Sequence, residues 1–213
     1  MEYYVSTSFG ALKLGIPFHG FASNMLTVRL LVEALSPPPT RPTDVVKREF
    51  EEAKALWEAS DLRRHVWDKL MSTPSISQVK RAVLFATGSP TRHAFGHYAT
   101  SSMQICLGIT VRETALTRRR EDCKEEDLTI ECLAQDPEFA PSDVDILAPY
   151  DVKIVPDPEG FLALDDSTAV IVFYPDIAVR NISLDICRPP IFICDAIKKQ
   201  CEKVICSLGE DEK

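Results

Sequence analysis

Residues 81–90 read Arg81-Ala82-Val83-Leu84-Phe85-Ala86-Thr87-Gly88-Ser89-Pro90, a short β-rich apolar run stopped by glycine, serine and proline. The run predicts a strand through Thr87. Ser89 as an N-cap with Pro90 at the first helical position predicts that a helix starts directly behind it. Phe95, Ala99, Ser102, Met103 and Cys106 then share one face of that helix, with small or apolar side chains.

The same texture continues downstream. Leu128 to Leu133 predicts a second strand, ending at Gln135-Asp136-Pro137, and Ser142-x-x-Asp145 resembles a capping box opening a short helix through Leu147. Val152 to Val155 predicts a third strand, and Asp157-Pro158-Glu159-Gly160 a turn. Thr168 to Tyr174 predicts a fourth strand, continuously apolar as in sheets buried on both faces. Pro190 to Cys194 predicts a fifth, and Ile197, Cys201, Val204 and Ile205 make a last amphipathic helix. Strands alternating with helices imply an α/β fold, Rossmann-like, with a mostly parallel sheet and helices on both faces. Strand order is not legible at this level.

Upstream, Met25 to Leu35 reads as a short helix ended by Pro37-Pro38-Pro39, and residues 36–43 as a linker. Thr43 or Asp44 can cap a helix whose apolar face is Val46, Phe50, Ala53 and Trp57, at i, i+4, i+7 and i+11. A second helix runs from Leu62 to about Leu70, and the stretch around Pro74 is a loop. The expected organisation is an N-terminal helical segment, 1–79, packed on an α/β domain, 80–208, with a charged tail, 209–213.

The chain has 213 residues, 45% of them hydrophobic, enough for one domain with a sizeable core. Its 24 Lys and Arg against 32 Asp and Glu give a net charge of −8. That disfavours nucleic acid and anionic membrane surfaces as partners, since both need clustered cations. The longest wholly apolar stretch, Ala169 to Tyr174, is far below the roughly 20 residues of a membrane span. The start, Met1-Glu2-Tyr3-Tyr4, has neither a basic nor a sustained apolar region, so no secretory signal is expected. Seven cysteines, an odd number, fit free thiols in a reducing compartment, the cytoplasm with the nucleus as a second location.

Candidate site residues follow from the fold. Open parallel sheets bind ligands at the carboxyl ends of their strands. Gly88, Ser89, Thr91 and Arg92, at a helix start after the first strand, suit a phosphate or carboxylate; an ordinary strand-to-helix turn capped by Ser89 has the same pattern. Asp136 either holds ribose hydroxyls or shapes a turn with Pro137. Tyr174 and Asp176 follow the fourth strand and complete a crevice with an aromatic wall and two carboxylates. That combination suits a small zwitterionic or nucleotide-like ligand better than a bare anion. His93 and His97 share a helix face without a third metal ligand in view. Cys187, Cys194, Cys201 and Cys206 lack the close pairs of structural zinc sites and read as core thiols. The charge-mixed run from Arg118 to Asp127 reads as a solvated, mobile loop or a protein-docking segment, with Cys123 in it as the most reactive thiol. No Gly-x-Ser-x-Gly elbow and no P-loop occurs.

The order of short motifs resembles the SRR1-like domain family, "sensitivity to red light reduced". They are a strand ending in Gly88-Ser89, a helix carrying Gln104, a strand ending Asp136-Pro137-x-Phe139, Val155 with Glu159-Gly160 behind it, and Thr168 leading into Phe173-Tyr174-Pro175. The resemblance spans roughly residues 80–195, and the N-terminal segment looks like that of fungal members. It implies a regulatory or binding role, linked in plants to light and clock signalling and in animals to haem metabolism and clock output. The family often has a histidine where this chain has Asp176, and a glycine-richer first loop. Two functions are therefore expected: a regulatory or binding module with a small-molecule crevice, or a Rossmann-like transferase or oxidoreductase using a nucleotide-type cofactor of unassigned identity.

Overall fold

All five apolar runs expected as strands become strands, the second of them shifted to Glu131–Gln135. The computed structural model describes residues 3–7, 10–15, 29–32, 41–92, 98–123, 128–175 and 178–195. The N-terminal part contributes β1 (Tyr3–Thr7), β2 (Gly10–Gly15) and β3 (Arg29–Val32), an antiparallel sheet in which Tyr3 pairs with Leu14 and Leu12 with Val32. This corrects the helix expected from Met25 to Leu35, at least for residues 29–32. Leucine and valine there have backbone partners in β2, and pairing overrides a weak local propensity.

The helical elements α1 (Thr43–Ala59) and α2 (Asp61–Met71) follow. Val46, Phe50 and Trp57 are buried on one face of α1, as the spacing requires. Ser60 caps α2, its Oγ accepting the Arg63 N–H at 3.1 Å. A 3-10 turn over Pro74–Gln78 then leads into β4 (Arg81–Phe85).

The second sheet contains β4, β5 (Glu131–Gln135), β6 (Val152–Ile154), β7 (Thr168–Val172) and β8 (Ile191–Cys194), all parallel, in the order β6-β5-β4-β7-β8. Phe85 pairs with both Gln135 and Val172, and Val172 with Cys194, so the carboxyl ends align. The chain winds outward from β4 to β6, returns to the other side of β4, and winds outward again. Alternate residues of each strand face opposite layers. Ala82, Leu84, Ala169 and Ile171 pack with α1, with α3 (Tyr98–Cys123) and with α4 (Pro141–Leu147). Val83, Phe85, Val170 and Val172 pack with α5 (Glu159–Leu162) and α6 (Val179–Ile186). Each fully buried Leu, Ile or Phe in these layers contributes about 1.5–3 kcal/mol. α3 lies so close to β4 that a Cβ on Gly108 would stand 2.4 Å from Leu84 Cδ2. Its buried threonines return their hydroxyls to the helix, Thr110 to Cys106 O at 2.9 Å and Thr114 to Thr110 O at 2.7 Å. Trp57 Nε1 then donates to Thr110 Oγ1 at 2.9 Å, joining α1 to α3.

Four local expectations are corrected. No helix begins at Pro90, as residues 86–92 are irregular and the described helix starts at Tyr98. Arg118 to Cys123 belong to α3 rather than a loop, and Arg118 pairs with Glu121 and Asp122 one turn on. Glu159–Leu162 is one helical turn inside the segment expected as a turn, and α6 is a helix where none was expected. No helix of the described residues is long and apolar enough to cross a membrane.

Candidate functional site at the carboxyl edge of the sheet

The strand order places a topological switch point between β4 and β7, where successive connections leave in opposite directions. A crevice forms there in open α/β sheets. The two flanking loops, 86–92 and 173–175, come from the segments singled out in the sequence.

Their backbone is unusual. Ala86 has φ 56°, Gly88 φ 67° and Tyr174 φ 47°, all in the left-handed region. For Ala86 and Tyr174 that conformation costs about 1–2 kcal/mol each, because Cβ crowds the following carbonyl. Gly88 escapes the cost, and its missing side chain matters a second time. A Cβ there would stand 2.8 Å from Ser101 Oγ of α3 and 3.7 Å from Glu138 Oε2.

Gly88 and Asp136 are brought together as expected: the Gly88 N–H donates to Asp136 Oδ2 at 2.8 Å. Asp136 Oδ1 accepts the Glu138 N–H at 2.8 Å, so the carboxylate also shapes its own turn. Of the two readings left open for Asp136, the turn is the one with observed bonds. Gln135, buried, donates to Asp157 Oδ1 at 2.9 Å and accepts the Gly160 N–H at 2.6 Å, fixing the loop after β6 to β5.

Ser89 and Thr91 point inward. They are 3% and 0% exposed and meet the carboxylate of Asp143, itself 0% exposed. Ser89 Oγ donates to Asp143 Oδ2 at 2.6 Å, the Thr91 N–H to Asp143 Oδ1 at 3.0 Å, and the Ala140 N–H to Asp143 Oδ2 at 2.7 Å. Ser89 Oγ also accepts the N–H groups of Thr91 and Arg92, at 3.2 and 3.1 Å. Ser89 thus does cap two backbone donors, but around a turn. The capping box of α4 is likewise displaced: Asp143 closes it on Ala140, in place of the Ser142 and Asp145 pair.

The consequence is electrostatic. The N–H groups of Gly88, Thr91 and Arg92, which a phosphate would need, are held by Asp136, Asp143 and Ser89. Two internal carboxylates occupy the anion's place. Arg92 is half-buried, and its Nε has no hydrogen-bond partner among the described residues. Gln104 Oε1, on the α3 segment named in the motif order, is a second buried polar atom without a partner among the described residues.

Tyr174 is 79% exposed, so its ring walls off no crevice. Its N–H donates to Asp195 Oδ1 at 3.3 Å, and Arg180 pairs with the same oxygen at 3.5 Å. This knot joins the loop after β7, the start of α6 and the end of β8. Asp176, His93, His97, Cys201 and Cys206 lie outside the described residues, as does the side chain of Cys123. Burial pushes the thiols of Cys106 and Cys132 up to about 12, so both stay protonated at neutral pH. Desolvation raises Cys187 as well. Among the described residues no group of three or more His, Cys, Asp or Glu is placed to hold a metal ion.

Asp143 is the site residue the sequence reading missed. Pro141 at the first helical position, with an acid two residues later, is the signal that points to it.

Fold and site together define a doubly wound α/β domain, with its switch point between the loops that follow β4 and β7. The chain belongs to the SRR1 domain family, whose model matches residues 48–202, from within α1 to beyond β8. No curated protein and no solved structure matches the chain.

Proposed function

We propose that the chain is a regulatory or binding module that takes a small molecule at the switch point between β4 and β7. The observation that carries this reading is the concentration of left-handed backbone there. Ala86 and Tyr174, neither of them glycine, hold strained conformations beside Gly88, on the two loops where α/β sheets bind ligands. The ligand is nucleotide-like or zwitterionic and binds through its hydroxyl or amino groups, since Asp136 and Asp143 already hold the donors a phosphate would use. Family membership supports a regulatory role inside the cell.

A second reading places a nucleotide-type cofactor of a transferase or oxidoreductase in the same crevice. It rests on Gly88 and Asp136 meeting as the loop glycine and strand-end acid of such sites. The high thiol pKa values of Cys106 and Cys132 weigh against either as a nucleophile.

A thermal-shift panel of adenosylmethionine, NAD(P) and haem tests the proposal. A ligand at a hundredfold excess over its Kd stabilises by about 2.7 kcal/mol, roughly 5–10 °C for a chain of this size. Stabilisation without turnover supports the binding module. Turnover of a defined compound transfers the assignment to the enzyme, and no shift with any compound removes the crevice.

A further inference from the structure

The loop after β4 is also held from upstream, and the holding point is Thr91. Its N–H donates to Asp143 Oδ1 at 3.0 Å, and its Oγ1 lies 3.1 Å from Ser89 Oγ and accepts from Ser142 Oγ at 3.2 Å. Its carbonyl accepts the Arg41 N–H at 2.8 Å. Thr91 is fully buried, so each of these polar groups needs its partner.

The sequence around Arg41 explains the last bond. Pro42 follows it as the N-cap of α1, and a residue before proline is held extended. The Arg41 N–H is thereby kept out of the helix and is left for another segment. The side chain turns back along α1. Its Nη1 and Nη2 donate to the two carboxylate oxygens of Glu49, the planar fork in which arginine grips a carboxylate most firmly. The arginine side chain is only 11% exposed, which limits screening of the pair. Glu49 precedes Phe50, on the buried face of α1 that packs with Ile146 and Leu147 of α4.

We propose that Arg41 is a positioning residue for the switch-point loop. Clasped on Glu49, it holds Thr91, and with it the 86–92 loop that carries the left-handed Ala86 and Gly88. The family match begins at residue 48, so Glu49 lies within it and Arg41 before it. The shape of the loop is therefore set in part from outside the shared domain, and loosening the clasp loosens the loop. Control of ligand binding by the clasp rests on the switch-point reading. The clasp itself is measured with no compound present, so either can fail alone.

Residue-resolved hydrogen exchange of the full chain tests the proposal. Glu49→Gln and Arg41→Gln should each speed exchange of the Thr91 and Arg92 amides about tenfold, because the loop opens more often once a charge-assisted anchor is lost. The Val83 and Leu84 amides inside β4 should keep their rates. Arg41→Lys, which keeps the charge and loses the fork, should fall between parent and Arg41→Gln. The effect of Glu49→Gln should shrink to about twofold or less in an Arg41→Gln background, since the two groups act through each other. Arg64→Gln, which breaks the exposed Arg64–Asp61 pair of α2, should leave the loop unchanged. Four results overturn the proposal: unchanged loop exchange in either single variant, equal acceleration at Val83 and Leu84, an undiminished Glu49→Gln effect in the Arg41→Gln background, or equal acceleration by Arg64→Gln.

Discussion

Replacing Asp143 with asparagine should destabilise the protein by about 2–4 kcal/mol, although the side chain keeps its shape. The carboxylate is fully buried and accepts three hydrogen bonds, from Ser89 Oγ at 2.6 Å, Ala140 N–H at 2.7 Å and Thr91 N–H at 3.0 Å. Asparagine has one acceptor oxygen. Placed at Oδ2 it keeps Ser89 and Ala140, but both bonds fall from charge-assisted to neutral, a loss of about 1 kcal/mol each. The amide nitrogen then faces the Thr91 N–H, donor against donor, and stays buried without a partner at about 1–3 kcal/mol. The cheaper burial of a neutral amide offsets part of the total. Urea denaturation at neutral pH reads the change directly, and an unchanged m-value confirms that stability alone moved. Asp145→Asn, an exposed carboxylate on the same helix, is the control and should stay within about 0.5 kcal/mol of the parent. An Asp143→Asn protein as stable as the parent, or an equal loss in Asp145→Asn, refutes the clamp between the β4 loop and α4.

Gly88→Ala should cost about 1–3 kcal/mol, from its φ of 67° and the 2.8 Å approach to Ser101 Oγ, and adding Ser101→Ala should return only the steric part; a melting temperature equal to the parent's removes the left-handed loop. Alkaline stability should fall. Burial pushes the thiols of Cys106 and Cys132 from an ordinary 9.0 up to about 12, so from pH 9 upward the unfolded chain has lost protons that the native state still binds, and stability drops progressively toward pH 12. Cys132→Ala should flatten that slope in denaturation curves at pH 8 and 10.5, and an unaltered slope would contradict the burial of that thiol. Among Cys106, Cys132, Cys187 and Cys194, the half-exposed Cys194 should react first with a maleimide, before the three buried thiols.

The parallel sheet was legible because strands buried on both faces must be apolar throughout, and Val83-Leu84-Phe85 and Ala169-Val170-Ile171-Val172 satisfy that without ambiguity. The shared edge of Gly88 and Asp136 followed from the strand ends. What stayed hidden depends on contacts distant in sequence. Ser89-Pro90 has the pattern of a helix start, but Ser89 bonds to Asp143, 54 residues on, and its cap closes a turn. The strained backbone at Ala86 and Tyr174 has no sequence signature, since neither residue is glycine. The pairing of β3 with β2 is equally non-local. The spacing Val179, Ile182, Ser183, Ile186 of α6 was present in the sequence, and the helix was missed because its stripe is short and interrupted by a serine.

Hydrogen exchange with and without the compound that most stabilises the protein tests the central claim most directly. Binding at the switch point predicts slowed exchange in the amides of 86–92 and 173–175, on both sides of the β4–β7 boundary, with the Pro74–Gln78 turn unchanged. Protection confined to other elements, or none in either loop, would contradict it.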